Sequence, residues 1–288
     1  MTDSAGGPLG ESMGTSRSDS EVLDGWDHGI SGAVVREDRV VHVEHIWGTA
    51  ITINLSGTKG SEDHALSAID RAREFFVTVD QTFSTYKPHT EVALYRAGLE
   101  RPGQQSDDFE EVKRSCRQLC DFTGGAFDPW SVPGGYDPSG YVKGWAVGRA
   151  SERLAAAGFP DHLVNAGGDI CARGDELPRS GQGWPTGILN PHAPTEVIEV
   201  VDLRNESMAT SGRYERGDHV VDPSTGRPAI DVDSATVVGP DPGAADALAS
   251  AALVRGTDSV AWFDLLGPDW SLYLVIGETA RSFGRAFE

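Results

Sequence analysis

The stretch GGAFDPWSVPGGYDPSG, from Gly124 to Gly140, limits this chain more than any other. Its three prolines and two glycine pairs break helix and strand alike. A loop of this length inside a compact domain is usually functional or disordered. Phe127, Trp130 and Tyr136 argue against disorder, since apolar rings gain from burial. Helical patterns bracket the loop. Before it, Phe109, Val112, Cys116 and Leu119 place one apolar stripe on a helix over about 108–121. After it, YVKGWAVGRASERLAAAG puts Ala146, Ala150, Leu154 and Ala157 on one face and stops at Gly158.

The remaining segments fill in around that loop. VVREDRVVHVEHIWGTAITINLSG alternates and is β-branched, as a hairpin does. Ala65, Ile69, Ala72, Phe76, Val79 and Phe83 step by fours and threes, the period of a helix with one buried face. DHLVNAGGDICARG reads as a strand broken by a glycine pair. Strands are expected over about 196–204 and 207–211, at SATVVG, and last at SLYLVIG. Residues 244–255 and 258–266 read as helices. No steady strand–helix–strand rhythm appears, so an α+β class is expected rather than a doubly wound sheet. Residues 1–30, rich in Gly, Ser, Asp and Glu, are expected to be a disordered acidic tail, and 31–288 a single domain.

The formal charge of −20 excludes a phosphate-tracking nucleic-acid surface and an anionic-lipid surface. No run approaches a membrane span and no secretory leader reads at the start, so a cytoplasmic location is the default expectation. Three cysteines make no disulfide framework, and Cys116 and Cys120 are expected to be buried thiols. A phosphate-bearing ligand would need something local: a metal, backbone amides or a placed lysine. Lys143 is the only lysine after Lys113. It falls where the Gly/Pro loop becomes a helix, which is unfavourable for a cation unless an anion is near; a plain surface lysine is the alternative.

Two further features carry chemistry. In AADALASAALVRG, Asp246 and Ser250 lie one helical turn apart on one face. They could supply two hard oxygen ligands to Mg²⁺, or be a first-turn acid and a small packing residue. His219, before the turn DPSTG, could serve as a general base or be structural. Neither a dinucleotide G-x-G-x-x-G nor a Walker A motif is present. The pairs Gly124–Gly125, Gly134–Gly135 and Gly167–Gly168 each allow a turn or a close backbone approach to a ligand.

Taken in order, FSTYKPHTEVALYRAG, GGAFDPWSVPGGYDPSGYVKGWAV, LVNAGGDICARG, ATSGRYERGDHVVDPSTGRP and SATVVGPDPGAADALASAALVRG resemble the FAD:protein FMN transferase (ApbE) family over about residues 45–277. The resemblance implies an α+β, mixed-sheet, T-fold-like flavin-transferase architecture, with FAD as bound substrate and Mg²⁺ as metal. It implies transfer of the FMN half of FAD to a Thr or Ser hydroxyl of an acceptor flavoprotein, with release of AMP. FAD hydrolysis to FMN and AMP, or flavin binding without catalysis, are the alternatives. No nucleic-acid partner and no membrane segment are expected. Carried over by residue, Tyr86, Ala126, Phe127 and Asp128 line the flavin or adenine pocket, and Asp137 and Lys143 contact FAD. The main-chain oxygen of Gly140, with Asp246 and Ser250, holds the metal. His219 and Val221 lie near the reacting phosphate, with His219 as the base. Four positions depart from the family's usual residues. Trp47 stands in Trp47-Gly48-Thr49 where Met is usual, and it could still stack on a ring. Trp130 replaces Thr, Ser250 replaces Thr but keeps the hydroxyl, and Gly148 replaces Asp.

Overall fold

A computed structural model describes residues 32–100, 103–213 and 220–288. The acidic stretch 1–30 and His219 lie outside the described residues. The chain opens with three strands, β1 (Gly32–Arg36), β2 (Arg39–Ile46) and β3 (Thr49–Ser56). The expected hairpin is thus a three-stranded meander, because Glu37–Asp38 makes a second tight turn. Helices α1 (Glu62–Phe83), α2 (Glu91–Arg96), α3 (Asp107–Phe122) and α4 (Ser139–Ala156) follow. Next come β4 (His162–Ala166), β5 (Asp169–Arg173), β6 (Trp184–Asn190), β7 (Ala193–Leu203) and β8 (Glu206–Gly212). The chain closes through β9 (Val221–Asp222), β10 (Arg227–Pro228), β11 (Ser234–Gly239), α5 (Pro242–Arg255), α6 (Val260–Leu266), β12 (Ser271–Ile276) and β13 (Thr279–Phe283).

Nine strands form one sheet in the order β1-β2-β3-β4-β5-β8-β11-β12-β13. The α+β class is as expected. Where a mixed sheet was expected, every pairing among the described residues is antiparallel. Half of these pairings have a local reason: β1–β2–β3, β4–β5 and β12–β13 are hairpins joined by two-residue turns, and a hairpin can only pair antiparallel strands. Two strands escaped the sequence pattern. β6 contains Pro185 and Gly187, residues that argue against a strand, yet it pairs with β7 in a separate two-stranded sheet. β13 follows SLYLVIG as an exposed edge, too polar to show a buried face.

Alternation along the strands sorts their side chains to two faces. On one face Val40, Ile51, Ile53, Leu55 and Val164 pack on α1 and α4, through Ile69, Phe76, Val79, Ala146 and Ala150. On the same side Ala209, Ala235, Val237, Leu272 and Leu274 pack on α5, through Leu248, Ala249, Ala252 and Leu253. The opposite face, with Ile170, Ala172, Met208, Val238, Tyr273 and Val275, is covered by Trp184, Ile188, Val201 and Leu203 of the β6–β7 hairpin. Cys116 is buried, and burial pushes its thiol up to about 12. Cys120 is only partly buried, because it lies one turn closer to the open C-terminal end of α3.

Helices α4 and α5 touch backbone to backbone. A Cβ at Gly144 would lie 2.2 Å from the carbonyl oxygen of Pro242, and one at Gly148 would lie 3.0 Å from the Pro242 ring. Pro242 sits in the first turn of α5, where its missing N–H costs nothing, behind the cap that Asp241 makes on the Ala244 amide. The alanine-rich sequence of α5 allows the approach, since small side chains let two helix axes come close. This also explains Gly148: a larger residue there would meet Pro242.

Candidate active site

The Gly/Pro loop delivers α4 with its first turn at one end of the sheet. Gly140 and Lys143 lie in that turn and the next. α5 runs alongside and brings Asp246 and Ser250. Asp246 is buried, and its Oδ2 accepts a hydrogen bond from the Gly144 amide at 3.3 Å. Ser250 Oγ lies 3.0 Å from Ser211 Oγ, near the end of β8. A Cβ on Gly140 would stand 3.4 Å from the Phe127 ring and 3.7 Å from Ser250 Oγ. Three segments far apart in sequence therefore converge: the loop with the start of α4, the end of β8 and the middle of α5.

A fourth group completes the cluster, and it is one the sequence reading did not single out. Asp169 opens β5, directly after the turn Gly167–Gly168, whose φ values of 57° and 95° are those of a left-handed hairpin turn. Its side chain is 2 % exposed and lies 3.2 Å from Nζ of Lys143. Neither of its oxygens meets a hydrogen-bond donor with good geometry. Burial raises its pKa well above the carboxylate range; the charge of Asp246 pushes the same way, while Lys143 opposes. The available signal was an acid inside an otherwise apolar strand, Asp169-Ile170-Cys171-Ala172, right after a glycine pair.

The turn Trp47–Gly48 stands at the same end of the sheet. Both its residues have positive φ, 62° and 75°. The Gly167 amide donates to the Ala50 carbonyl at 3.2 Å, and Thr49 crowds Gly167 so closely that a Cβ there would lie 2.4 Å from its hydroxyl. Trp47 packs edge-on against Phe76 of α1 at 5.4 Å, and its buried indole nitrogen meets no acceptor.

The structure thus brings Gly140, Lys143, Asp246 and Ser250 together, with Phe127 beside Gly140. The other candidates have these surroundings. Tyr86 is 94 % exposed in the connection between α1 and α2. Ala126 is a core residue. Asp128 is spent on its own loop, accepting from the Trp130 amide and the Ser131 hydroxyl. Asp137 accepts from the Ser139 amide at 3.0 Å and pairs with Arg96 at 3.4 Å. Val221 is exposed on the small β9–β10 hairpin, which borders a cavity of about 530 Å³ against Leu253 and Val254 of α5. A second cleft, of about 400 Å³, lies between α4 and the start of α5, lined by Trp145, Arg149 and Asp241. It faces the opposite end of the helix pair and does not include Lys143 or Asp169.

The donor chemistry is that of a hard cation. Two carboxylates, serine hydroxyls and a main-chain carbonyl all offer oxygen atoms, and neither Asp169 oxygen meets a donor in good hydrogen-bond geometry. Among the described residues no group of three or more His, Cys, Asp or Glu side chains gathers as a metal site.

The fold, one antiparallel sheet carrying helices on one face, is shared with solved ApbE proteins. Residues 135–267 match the model of the ApbE family. The flavin transferase ApbE from Vibrio cholerae superposes with a TM-score of 0.73 at 21 % identity, over 89 % of this chain and 99 % of that one. The ApbE protein of Thermotoga maritima gives 0.74 at 23 % identity, over 84 % and 96 %. In sequence, the FAD:protein FMN transferase of Rhodobacter capsulatus is 36 % identical over 131 residues, 42 % of this chain and 24 % of that protein. The corresponding protein of Vibrio cholerae is 33 % identical over 132 residues, 42 % of this chain and 39 % of its own length. The match therefore spans between a quarter and two fifths of these curated relatives. Gly140, Lys143, Asp169, Asp246 and Ser250 fall inside the family segment; Trp47, Tyr86 and Phe127 fall outside it.

Proposed function

We propose that this protein is a Mg²⁺-dependent FAD:protein FMN transferase, moving the FMN moiety of FAD to a Thr or Ser hydroxyl of an acceptor protein and releasing AMP. The observation that carries the reading is the buried cluster of Asp246, Ser250, Asp169 and Lys143 at the end of an ApbE-type sheet. A chain of net charge −20 repels a dinucleotide diphosphate, so a cation held at this cluster would supply the attraction the chain lacks.

In this reading Asp246, Ser250 and the Gly140 carbonyl would hold the cation. A bound Mg²⁺ supplies neutralisation of the diphosphate charge as the bridging P–O bond breaks. Lys143 projects an ammonium at the same place and adds a second positive group. The glycine turn Gly167–Gly168 offers main chain without side chains to a ligand at the sheet end. The acceptor oxygen bonds to the FMN phosphorus, the bond to the AMP oxygen breaks, and the acceptor proton passes to a base. We assign that base to His219 by the resemblance, and with it a place for Val221 beside the reacting phosphate. Burial of Asp169 and Asp246 keeps bulk water from the cluster, which favours a protein hydroxyl over hydrolysis.

The test is mass spectrometry of candidate acceptor proteins after incubation with FAD and Mg²⁺. An added FMN on Thr or Ser is the expected result. Steady AMP release with no labelled acceptor would replace the reading with FAD hydrolysis. Flavin binding with no AMP release would leave a binding protein. Asp246→Ala should lower AMP release by about 100-fold or more while circular dichroism stays native, since it removes the charged oxygen ligand shared by the two helices.

A further inference from the structure

The mechanism above gives Asp169 no part beyond its burial, yet it is the most unusual group in the cluster. It is 2 % exposed, opens a strand of buried apolar residues, and has both carboxylate oxygens without a hydrogen-bond donor in good geometry. A second buried carboxylate, Asp246, faces it, and the only cation beside it among the described residues is Lys143 at 3.2 Å. Two buried carboxylates and one partly buried ammonium leave this cluster short of positive charge. Such a pair costs stability, because unscreened like charges repel strongly where water is excluded. A fold that served stability alone would place Asn or Leu at the start of β5.

We propose that Asp169 is the second carboxylate of the cation site, and that the Lys143–Asp169 ion pair closes this site when no cation is held. A divalent cation entering between the two carboxylates supplies the missing charge. Asp169 then turns from the ammonium to the cation, and Lys143 is released toward an anionic ligand. Cation and diphosphate would accordingly reinforce one another's binding. This rests on the cation site of the proposed function, and deepens it by adding a positioning residue and an order of events.

The experiment uses the full chain, with Mn²⁺ alone as the probe and no flavin, followed by the loss of the free-ion EPR signal. Thermal melts with and without the ion accompany it. Asp169→Asn should weaken Mn²⁺ binding by about tenfold or more, since it replaces a charged oxygen ligand with a neutral one. Lys143→Met should tighten it by about threefold or more, because the competing ammonium is gone. The Lys143→Met melt should gain more from Mn²⁺ than the wild-type melt. An Asp169→Asn affinity within twofold of wild type overturns the proposal and leaves Asp169 as a structural counter-ion of the lysine. If Asp169→Asn does not fold, unchanged or weaker binding by Lys143→Met overturns it instead. Asp246→Asn separates the two readings. Binding lost in that variant but kept in Asp169→Asn sinks the role of Asp169 alone. No Mn²⁺ binding by wild type sinks the cation site itself.

Discussion

His162 shows what a single buried group contributes here. Its Nδ1 lies 2.8 Å from the Phe159 carbonyl, which only accepts, so that nitrogen carries the proton. Its Nε2 lies 2.8 Å from Ser151 Oγ and takes the hydroxyl proton. The neutral ring is fully satisfied, and burial lowers its pKa to about 4. A histidine with a depressed folded pKa contributes fully above its unfolded value near 6.5, and that contribution is lost as pH falls toward 4. The loss is about 3 kcal/mol, from roughly 2.5 units at 1.36 kcal/mol each. The stability gap between wild type and His162→Gln in urea unfolding should therefore shrink between pH 7 and pH 4.5; a constant gap would mean the ring is not held neutral. At this scale spacing was enough to put Asp246 and Ser250 on one face of a helix, where the structure has them. Asp169 was not readable, because its partners lie on α4 and α5 and only folding brings them near. Tyr86 shows the reverse: its motif is present, but its side chain stands in solvent.

Between elements, the contact of α4 with α5 sets the site. Lys143 and Gly140 ride on one helix, Asp246 and Ser250 on the other. Their spacing depends on Gly144 lying against Pro242. Gly144→Ala would gain up to about 1 kcal/mol of helix propensity. The new methyl would collide with the Pro242 carbonyl, and overpacking of this kind costs about 1–3 kcal/mol. A net loss of stability in urea unfolding is expected, together with weaker cation binding as Asp246 shifts; a gain in stability would refute the packing argument. The helices were legible because burial leaves a period of three to four along them. β6 was not, since Pro185 and Gly187 hide a strand whose only anchor is the neighbouring β7. β13 was not, because both its faces are largely exposed. The antiparallel direction of the whole sheet could not be read either, as strand direction follows from connections rather than from any one segment.

Over the whole molecule, the proposed FAD site belongs to a chain of net charge −20. FAD should therefore associate slowly at low ionic strength. Raising salt from about 10 mM to about 150 mM shortens the Debye length from roughly 30 Å to 8 Å and should speed binding severalfold. Stopped-flow flavin fluorescence at fixed Mg²⁺ reads this directly, and a rate that falls with salt would contradict it. No helix among the described residues is long and apolar enough to cross a membrane. The depth of the carboxylate cluster has one more consequence, for the shape of whatever receives the flavin. Asp246 is 5 % exposed and Asp169 1 %. Under the proposed transfer, a flat protein face could not press a hydroxyl that far in, and the recipient would have to offer its threonine or serine on a slender projection: a protruding loop or a loose tail, threaded inward rather than laid across.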